Sequence, residues 1–186
     1  MTVYVSLFRG INVGGHHQVR MDALKELHEA LGLKDVVTYI QSGNVVFRSD
    51  GADLAQLSVQ IEDSFAQRFG FQVKVMVRTS VELQEIIARS PFQPEKEPNR
   101  ILVLFLATRP ENTALEDFRQ TYAGPEELYL IGQEVYAYYP DGMGRSKLSL
   151  ALLEKKLKAV GTGRNWNTVL QLQKLVERLG LQNSNI

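Results

Sequence analysis

Apolar residues recur along the chain at two spacings, every second residue or every third to fourth residue, which predicts alternating strands and helices. In the first half, the pattern predicts a strand over Val3–Phe8, a helix over Met21–Leu31, a strand pair over Val36–Arg48 broken at Ser42-Gly43, a helix with the stripe Leu54, Leu57, Ile61 and Phe65, and a half-buried strand over Phe71–Arg78. This order is that of the ferredoxin-like plait, a sheet with two helices on one face.

The second half repeats most of this order. A helix from Ser80 through Arg89 is followed by Pro91–Pro98, which has three prolines in eight residues and is typical of a linker. Beyond it, the pattern predicts a strand over Ile101–Ala107, a helix over Glu111–Gln120, a strand pair over Glu127–Tyr139 turning at Gly132-Gln133, a helix over Ser146–Lys158 capped by Ser146, and a final helix over Trp166–Leu179 in place of a closing strand.

The predicted fold class is therefore α+β, a tandem repeat of two ferredoxin-like halves, the second closed by the C-terminal helix. We expect a first domain at residues 1–90, a linker at 91–99 and a second domain at 100–186. The periodicity also predicts a set of buried apolar side chains, namely Leu54, Leu57, Ile61, Phe65, Val73, Val75, Leu102, Leu104, Leu153 and Leu172.

Composition narrows the class of protein. With 44% hydrophobic and 23% charged residues, the 186-residue chain has the apolar surface that a folded globular protein needs. It has no cysteine, which excludes disulfides, thiolate metal ligands and cysteine nucleophiles. Its apolar runs are far too short to span a membrane, and no signal-peptide pattern follows Met1. We therefore predict a cytoplasmic protein with no membrane partner.

Charge is balanced overall but not locally. The 21 Lys and Arg residues match 21 Asp and Glu residues, so the whole molecule has no net attraction for nucleic acid. Between Gly142 and Arg178, however, eight basic residues stand against two acidic ones. This asymmetry is compatible with a basic ligand-binding face, and also with a solvated helix face that carries Lys155, Lys156 and Lys158.

Four segments place glycine, small amide residues or arginine at the ends of predicted elements, where backbone N–H groups and cations can hold an anion. The candidate ligand-binding residues are Arg9, Gly10, Asn12, Gly14 and Gly15 after the first strand, Gln41, Ser42 and Asn44 in the hairpin turn, Gly144, Arg145, Ser146 and Lys147 near a predicted helix start, and Arg164, Asn165, Trp166 and Asn167 at the last helix. Each set also has a structural interpretation, as turn residues, helix caps or core.

Catalytic and metal-binding signals are weaker. His16 and His17 are adjacent in a loop, point in different directions and lack an evident third ligand, so we predict no metal site. The sequence identifies no cofactor and no positioned acid or base, and the question of whether the protein is an enzyme stays open. The oligomeric state is also left open.

The segments Leu7–Gly15, Thr38–Phe47, Pro140–Leu148 and Arg164–Thr168 resemble, in order, the motifs of the bacterial family called domain of unknown function 1697. The resemblance extends from about Tyr4 to Leu179, and its matching residues are the candidate residues above together with Gly43. It implies a cytoplasmic bacterial protein of tandem α+β subdomains, but no activity, because the family has none established. Family members often continue after Gly15 with a lysine and a proline, which this chain lacks.

Two functions follow as hypotheses. In the first, an anionic small molecule or nucleotide binds in a polar cleft between the two halves, with Arg9, Arg145 and Arg164 as the cations. A structural alternative pairs Arg9 or Arg164 with Asp141, which would lock the halves together. In the second, the protein is an RNA-binding or protein-interaction module that uses an open sheet face.

The RNA-binding version of the second hypothesis depends on side chains that share one face of the first sheet. Tyr4, Phe8, Lys74 and Arg78 are the predicted members of that face. Nucleic acid is the less favoured partner, because the aromatic consensus of RNA-recognition motifs is absent and the net charge is zero.

Overall fold

The structure is a computed structural model that describes residues 1–51, 53–92 and 94–181. Ala52, Gln93 and residues 182–186 belong to the predicted domains and linker but lie outside the described residues. The chain divides into two compact units, one formed by Met1–Glu85 with the residues from Gln171 on, the other by Ile86–Leu170. Each unit contains a four-stranded antiparallel sheet, so the chain is an α+β protein, as predicted.

The elements of the first unit follow the order strand, helix, two strands, helix and strand. They are β1 (Thr2–Phe8), α1 (Met21–Ala30), β2 (Lys34–Tyr39), β3 (Asn44–Ser49), α2 (Leu54–Phe69) and β4 (Val75–Thr79), followed by α3 (Ser80–Ala88), which continues into the second unit. The strand order is β2-β3-β1-β4. In the central strand, Val5 lies opposite Val46 of β3 and Arg78 of β4. The predicted hairpin of β2 and β3 is confirmed.

Helix α2 shows why its sequence folds as predicted. The Asp53 carboxylate accepts hydrogen bonds from the backbone N–H groups of Ala55 and Gln56 at 2.8 and 3.0 Å, which caps the helix start. Gly70, with φ of 78°, ends the helix in the left-handed conformation that glycine adopts at little cost. The stripe of Leu57, Ile61 and Phe65 is buried as expected.

Three expectations for the first unit are wrong. Leu54 is only half-buried, because it is the first residue of α2 and lies at the margin of the core. Strand β4 begins at Val75, later than the predicted Phe71, and it is not half-buried, because Met76 and Arg78 are buried as well as Val75 and Val77. Tyr4 and Phe8 belong to the helix-side core, whereas Arg78 projects from the opposite side of the sheet. Tyr4 and Phe8, the aromatic members of the face that the RNA-binding hypothesis named, are therefore buried.

The second unit repeats the same strand order in its own numbering, β6-β7-β5-β8. Its elements are β5 (Ile101–Leu106), α4 (Ala114–Thr121), β6 (Glu127–Ile131), β7 (Glu134–Tyr138), α5 (Leu150–Leu157), β8 (Gly161–Asn165) and the start of α6 (Trp166–Leu181), with 3₁₀ turns at Pro98–Arg100 and Met143–Arg145. Leu102, Leu104 and Leu153 are buried in its core, as predicted.

The expectation that a helix replaces the closing strand is wrong, because β8 pairs antiparallel with β5 along its whole length. Gly163 lies opposite Leu104, and a Cβ on Gly163 would lie 2.7 Å from the Leu150 side chain. The glycines of β8 carry no strand propensity, so the sequence pattern conceals the strand.

The predicted cap of the following helix is also wrong. Helix α5 begins after Ser149, whose hydroxyl accepts a hydrogen bond from the Leu152 N–H at 3.1 Å. Ser146 lies before the helix and takes a different role, described below. Among the described residues, no helix combines the length and apolar character required to cross a membrane.

Candidate functional site

The Asn12 side chain makes three hydrogen bonds at the loop after β1, beside the loop's own backbone hydrogen bonds. Asn12 Nδ2 donates to the backbone oxygens of Val19 and Gln41 at 2.9 and 2.8 Å, and Asn12 Oδ1 accepts from the Val19 N–H at 2.7 Å. Asn12 adopts a φ of 56°, which its short polar side chain tolerates. These contacts support the structural interpretation of Asn12, since its polar atoms hold the loop and tie it to the hairpin turn.

The hairpin turn packs against the same loop. Asn44 is buried and its Nδ2 donates to the Tyr39 backbone oxygen at 2.9 Å and to Ser42 Oγ at 3.1 Å. Gly43 accepts a hydrogen bond from the Phe8 N–H at 2.9 Å, and a Cβ on Gly43 would overlap the Ile11 side chain. The structure therefore brings the first two candidate segments together, with tight packing between them.

Arg9 and Gly15, both exposed, line different cavities of the first unit. A cavity of about 690 Å³ has Asn12, Gly15 and Gln41 in its wall, and it also contains the ion pair of Arg20 and Asp22. Another, of about 500 Å³, is lined by Arg9, Gly10 and the ion pair of Lys74 and Glu62, whose Nζ and Oε2 are 2.8 Å apart. In both walls, a cation is already paired with a carboxylate.

Arg164 lies within the sheet of the second unit. It is 6% exposed, and its Nη1 donates to Thr162 Oγ1 at 2.7 Å and to the Gly163 backbone oxygen at 3.0 Å. Burial lowers the pKa of the Arg164 guanidinium to about 10, so the group remains a cation at neutral pH. Its position in β8 is that of a structural residue, because solvent hardly reaches it.

The neighbouring candidates form a helix cap. Asn165 Oδ1 accepts from the Asn167 N–H at 3.0 Å at the start of α6, and Asn165 Nδ2 donates to the Asn99 backbone oxygen at 3.0 Å. Trp166 is half-buried and Asn167 is exposed. Asp141 is exposed, and within the described residues of the second unit it forms no ion pair with Arg164. The alternative that pairs Arg9 with Asp141 stays a prediction.

Arg145, Ser146 and Lys147 of the remaining motif line part of a cavity of about 400 Å³, which we name the Arg145 cavity. Its wall is formed by two segments, 122–126 and 141–147, together with Tyr139; the members are Tyr122, Ala123, Gly124, Pro125, Glu126, Tyr139, Asp141, Gly142, Arg145, Ser146 and Lys147. Arg145 and Lys147 are exposed, and neither side chain has an ion pair or hydrogen bond among the residues that the structure describes. Two cations are thus available to a ligand.

A carboxylate lies between the two segments of this wall. Glu126 Oε2 accepts a hydrogen bond from the Tyr122 hydroxyl at 2.7 Å, and Glu126 Oε1 accepts one from the Ser146 hydroxyl. Ser146 Oγ in turn accepts the Leu148 N–H at 2.9 Å, which fixes the hydroxyl. Burial favours the neutral acid, but these hydrogen bonds outweigh it, so the pKa of Glu126 is below its ordinary value.

Tyr122, Glu126 and Tyr139 also belong to this site, although they were not among the candidate residues predicted from the sequence. Burial raises the pKa of Tyr139 to about 12, so its hydroxyl is protonated at neutral pH. The feature of the sequence that marks this part of the wall is the short loop around Gly124. In the structure, a Cβ at Gly124 would overlap the Tyr122 hydroxyl. Only the folded arrangement shows that this loop meets the Arg145 turn.

Comparisons with known proteins place the chain in a family. Residues 1–136 match the family model described as "Protein of unknown function (DUF1697)", and the chain belongs to this family. The first two of the four motifs lie inside the matched range, whereas the Arg145 and Arg164 motifs lie beyond it.

The fold has a counterpart among solved structures. The chain is similar to a conserved bacterial protein from Streptococcus pneumoniae, with 25% sequence identity and a TM-score of 0.72. The similarity covers 94% of this chain and 98% of the other. A search of curated proteins gives no match. The comparisons thus establish the family and the fold of the chain.

Proposed function

We propose that the protein binds an anionic small molecule in the Arg145 cavity. The observation that carries this proposal is the pair of exposed, unpartnered cations Arg145 and Lys147, on either side of Ser146 in the cavity wall of the described chain. A guanidinium offers a planar fork of donors and an ammonium a compact charge, and both suit a phosphate or carboxylate. The volume of about 400 Å³ is that of a small-molecule site.

This site accounts for part of the candidate set. Arg164 has the burial of a structural residue, and we do not propose it as a ligand contact. A contribution from Arg9 and its glycine loop stays a prediction, which the variant Arg9→Ala tests in the assay below. The polar wall of the cavity, with hydroxyls, carboxylates and cations, is compatible with binding alone or with a reaction on the bound ligand.

The test is the stabilisation of the protein by inorganic phosphate, sulfate and adenosine monophosphate in thermal unfolding. A ligand that binds only the folded state raises the Tm as its concentration exceeds the Kd. We expect Arg145→Ala and Lys147→Ala to keep the Tm of the free protein and to lose most of the shift. Lys155→Ala is the matched control, since Lys155 is an exposed cation of α5 outside the cavity. Anion-induced shifts that are absent in the wild type, or unchanged in both cavity variants, would overturn the proposal.

We also propose that both units are ferredoxin-like plaits arranged in tandem. Each sheet places the first and third of its strands at the centre, and a helix follows the first and third strands of each unit. That is the order of the plait. Superposition of the two units in an experimental structure tests this. The proposal requires the four strands of one unit to align with those of the other in the same order.

A further inference from the structure

The Arg145 cavity holds opposite charges in equal number, and this balance bears on the class of its ligand. Arg145 and Lys147 supply two positive charges, and Glu126 and Asp141 supply two negative ones. Because the pKa of Glu126 is lowered, its carboxylate is charged at neutral pH. A bare anion in such a cavity meets repulsion as well as attraction. A ligand that also carries hydrogen-bond donors makes use of both parts of the wall.

The Glu126 carboxylate is well placed to accept from such donors. Within the described chain, it forms no ion pair and its side-chain donors are two neutral hydroxyls, those of Tyr122 and Ser146. A carboxylate has about four acceptor positions, so further hydrogen bonds can be made. Its negative charge is therefore fixed in position and not neutralised by a protein cation.

The chain also keeps space for this arrangement. A Cβ on Gly124 would overlap the Tyr122 hydroxyl and the Glu126 carboxylate, so a larger residue there would require these side-chain ends to shift. The Tyr122 ring is itself held by stacking on Phe118, with ring centroids 5.0 Å apart. Glu126 is thus supported from two sides by groups with fixed positions, as in a preorganised binding site.

We propose that the ligand is a phosphorylated polyol, a sugar phosphate either free or within a ribonucleotide. Its phosphate binds Arg145 and Lys147, and its hydroxyl groups donate to Glu126. Carboxylates bind the hydroxyls of ribose in this way in dinucleotide-binding proteins. The inference rests on the proposed function, because it assigns a substrate class to the same cavity.

The experiment compares the affinities of ribose 5-phosphate, 2-deoxyribose 5-phosphate, adenosine monophosphate, phosphoethanolamine and inorganic phosphate by isothermal titration calorimetry. We expect ribose 5-phosphate or the nucleotide to bind wild type more tightly than inorganic phosphate by about tenfold or more, since one hydrogen bond to a charged group contributes that much. The comparison of ribose 5-phosphate with adenosine monophosphate distinguishes a free sugar phosphate from a ribonucleotide as the ligand. The deoxy sugar reports on recognition of the 2-hydroxyl.

Substitution of the carboxylate gives a signature that a merely structural role would not give. In Glu126→Gln, we expect the affinity for ribose 5-phosphate to fall and that for inorganic phosphate to rise, because one negative charge is removed. Glu116→Gln is the control, as Glu116 is an exposed residue of α4 outside the cavity. Tyr122→Phe, which releases one Glu126 oxygen, is a second variant in case Glu126→Gln folds poorly, and we expect it to weaken sugar phosphate binding only.

The outcomes separate the two proposals. If inorganic phosphate and ribose 5-phosphate bind with equal affinity and Glu126→Gln strengthens both, the cavity is a simple anion site, and the inference fails while the proposed function stands. If phosphoethanolamine binds more tightly than either sugar phosphate, the carboxylate recognises an ammonium group, and the polyol class is wrong. If none of these probes binds the wild type, both proposals fail.

Discussion

The hydroxyl oxygen of Ser6 on β1 lies 3.0 Å from His28 Nε2 on α1, inside the core of the first unit. The other ring nitrogen, Nδ1, lies 2.8 Å from the Leu24 backbone oxygen. Because a carbonyl oxygen only accepts, Nδ1 carries the proton and Nε2 accepts from Ser6. Two hydrogen bonds therefore hold a neutral imidazole of fixed tautomer between a strand and a helix.

This pair predicts a pH dependence of stability. Burial lowers the pKa of His28 from 6.5 to about 4, although the hydrogen bond with Leu24 acts in the opposite direction. The pKa of His28 is lower in the folded protein than in the unfolded chain. The contribution of the neutral imidazole to stability is therefore fully present above pH 6.5 and is lost as the pH falls towards 4. Over this whole pH range, the loss in the free energy of unfolding is roughly 3 kcal/mol.

Urea unfolding at pH 7 and pH 5 measures this loss. We expect the free energy of unfolding of the wild type to fall by more than that of His28→Gln, which has no group that titrates in this range. Carboxylates contribute equally to both proteins, so the difference isolates His28. Parallel losses in the two proteins would show that His28 is not the source.

The stripe of helix α2 gives a second prediction. Leu57 is buried against the sheet, so Leu57→Ala should lower the free energy of unfolding by roughly 2–5 kcal/mol. Val59 lies on the same helix but is 54% exposed, so Val59→Ala should change the free energy of unfolding by about 0.5 kcal/mol or less. Chemical denaturation of both variants is the measurement. A loss well under 1 kcal/mol for Leu57→Ala would contradict the helix register.

Helix α2 and strand β8 show where the sequence pattern is sufficient to predict an element and where it is not. Helix α2 was predictable because its apolar stripe, its Asp53 cap and its terminal Gly70 all indicate the same helix. Strand β8 was not predictable, because Gly161 and Gly163 stand where their neighbours leave no room for a side chain. The requirement for glycine at these two positions arises from tertiary contacts, which the strand propensity of a single sequence does not include.

The close packing around the glycines of β8 gives a third prediction. A Cβ on Gly161 would lie 2.7 Å from the Phe105 backbone oxygen, which cannot retreat without separating β8 from β5. We expect Gly161→Ala to reduce the free energy of unfolding by roughly 1–3 kcal/mol. Gly180 in α6 has no atom within 4 Å of an added Cβ, so Gly180→Ala should stabilise by up to about 1 kcal/mol. Equal effects of the two substitutions, measured by chemical denaturation, would contradict this packing.

The candidate site was predictable only in part, for a related reason. Arg145, Ser146 and Lys147 were recognisable from their motif, but Glu126 comes from a loop about twenty residues away and becomes their neighbour through folding. Arg164 has the same chemistry as Arg145 in the sequence. What separates them is burial, which depends on the unpredicted strand β8.

This difference between the two arginines is the last prediction. Arg145 is exposed, so Arg145→Ala should change the free energy of unfolding by about 0.5 kcal/mol or less and remove most of the Tm shift with phosphate. Arg164 is buried and donates to Thr162 and Gly163, so Arg164→Ala should cost roughly 2 kcal/mol or more and leave the phosphate shift in place. Chemical denaturation and thermal shifts of both variants measure the two quantities separately. If Arg164→Ala instead kept its stability and lost the phosphate shift, Arg164 would be a ligand contact, and the distinction drawn from burial would be wrong.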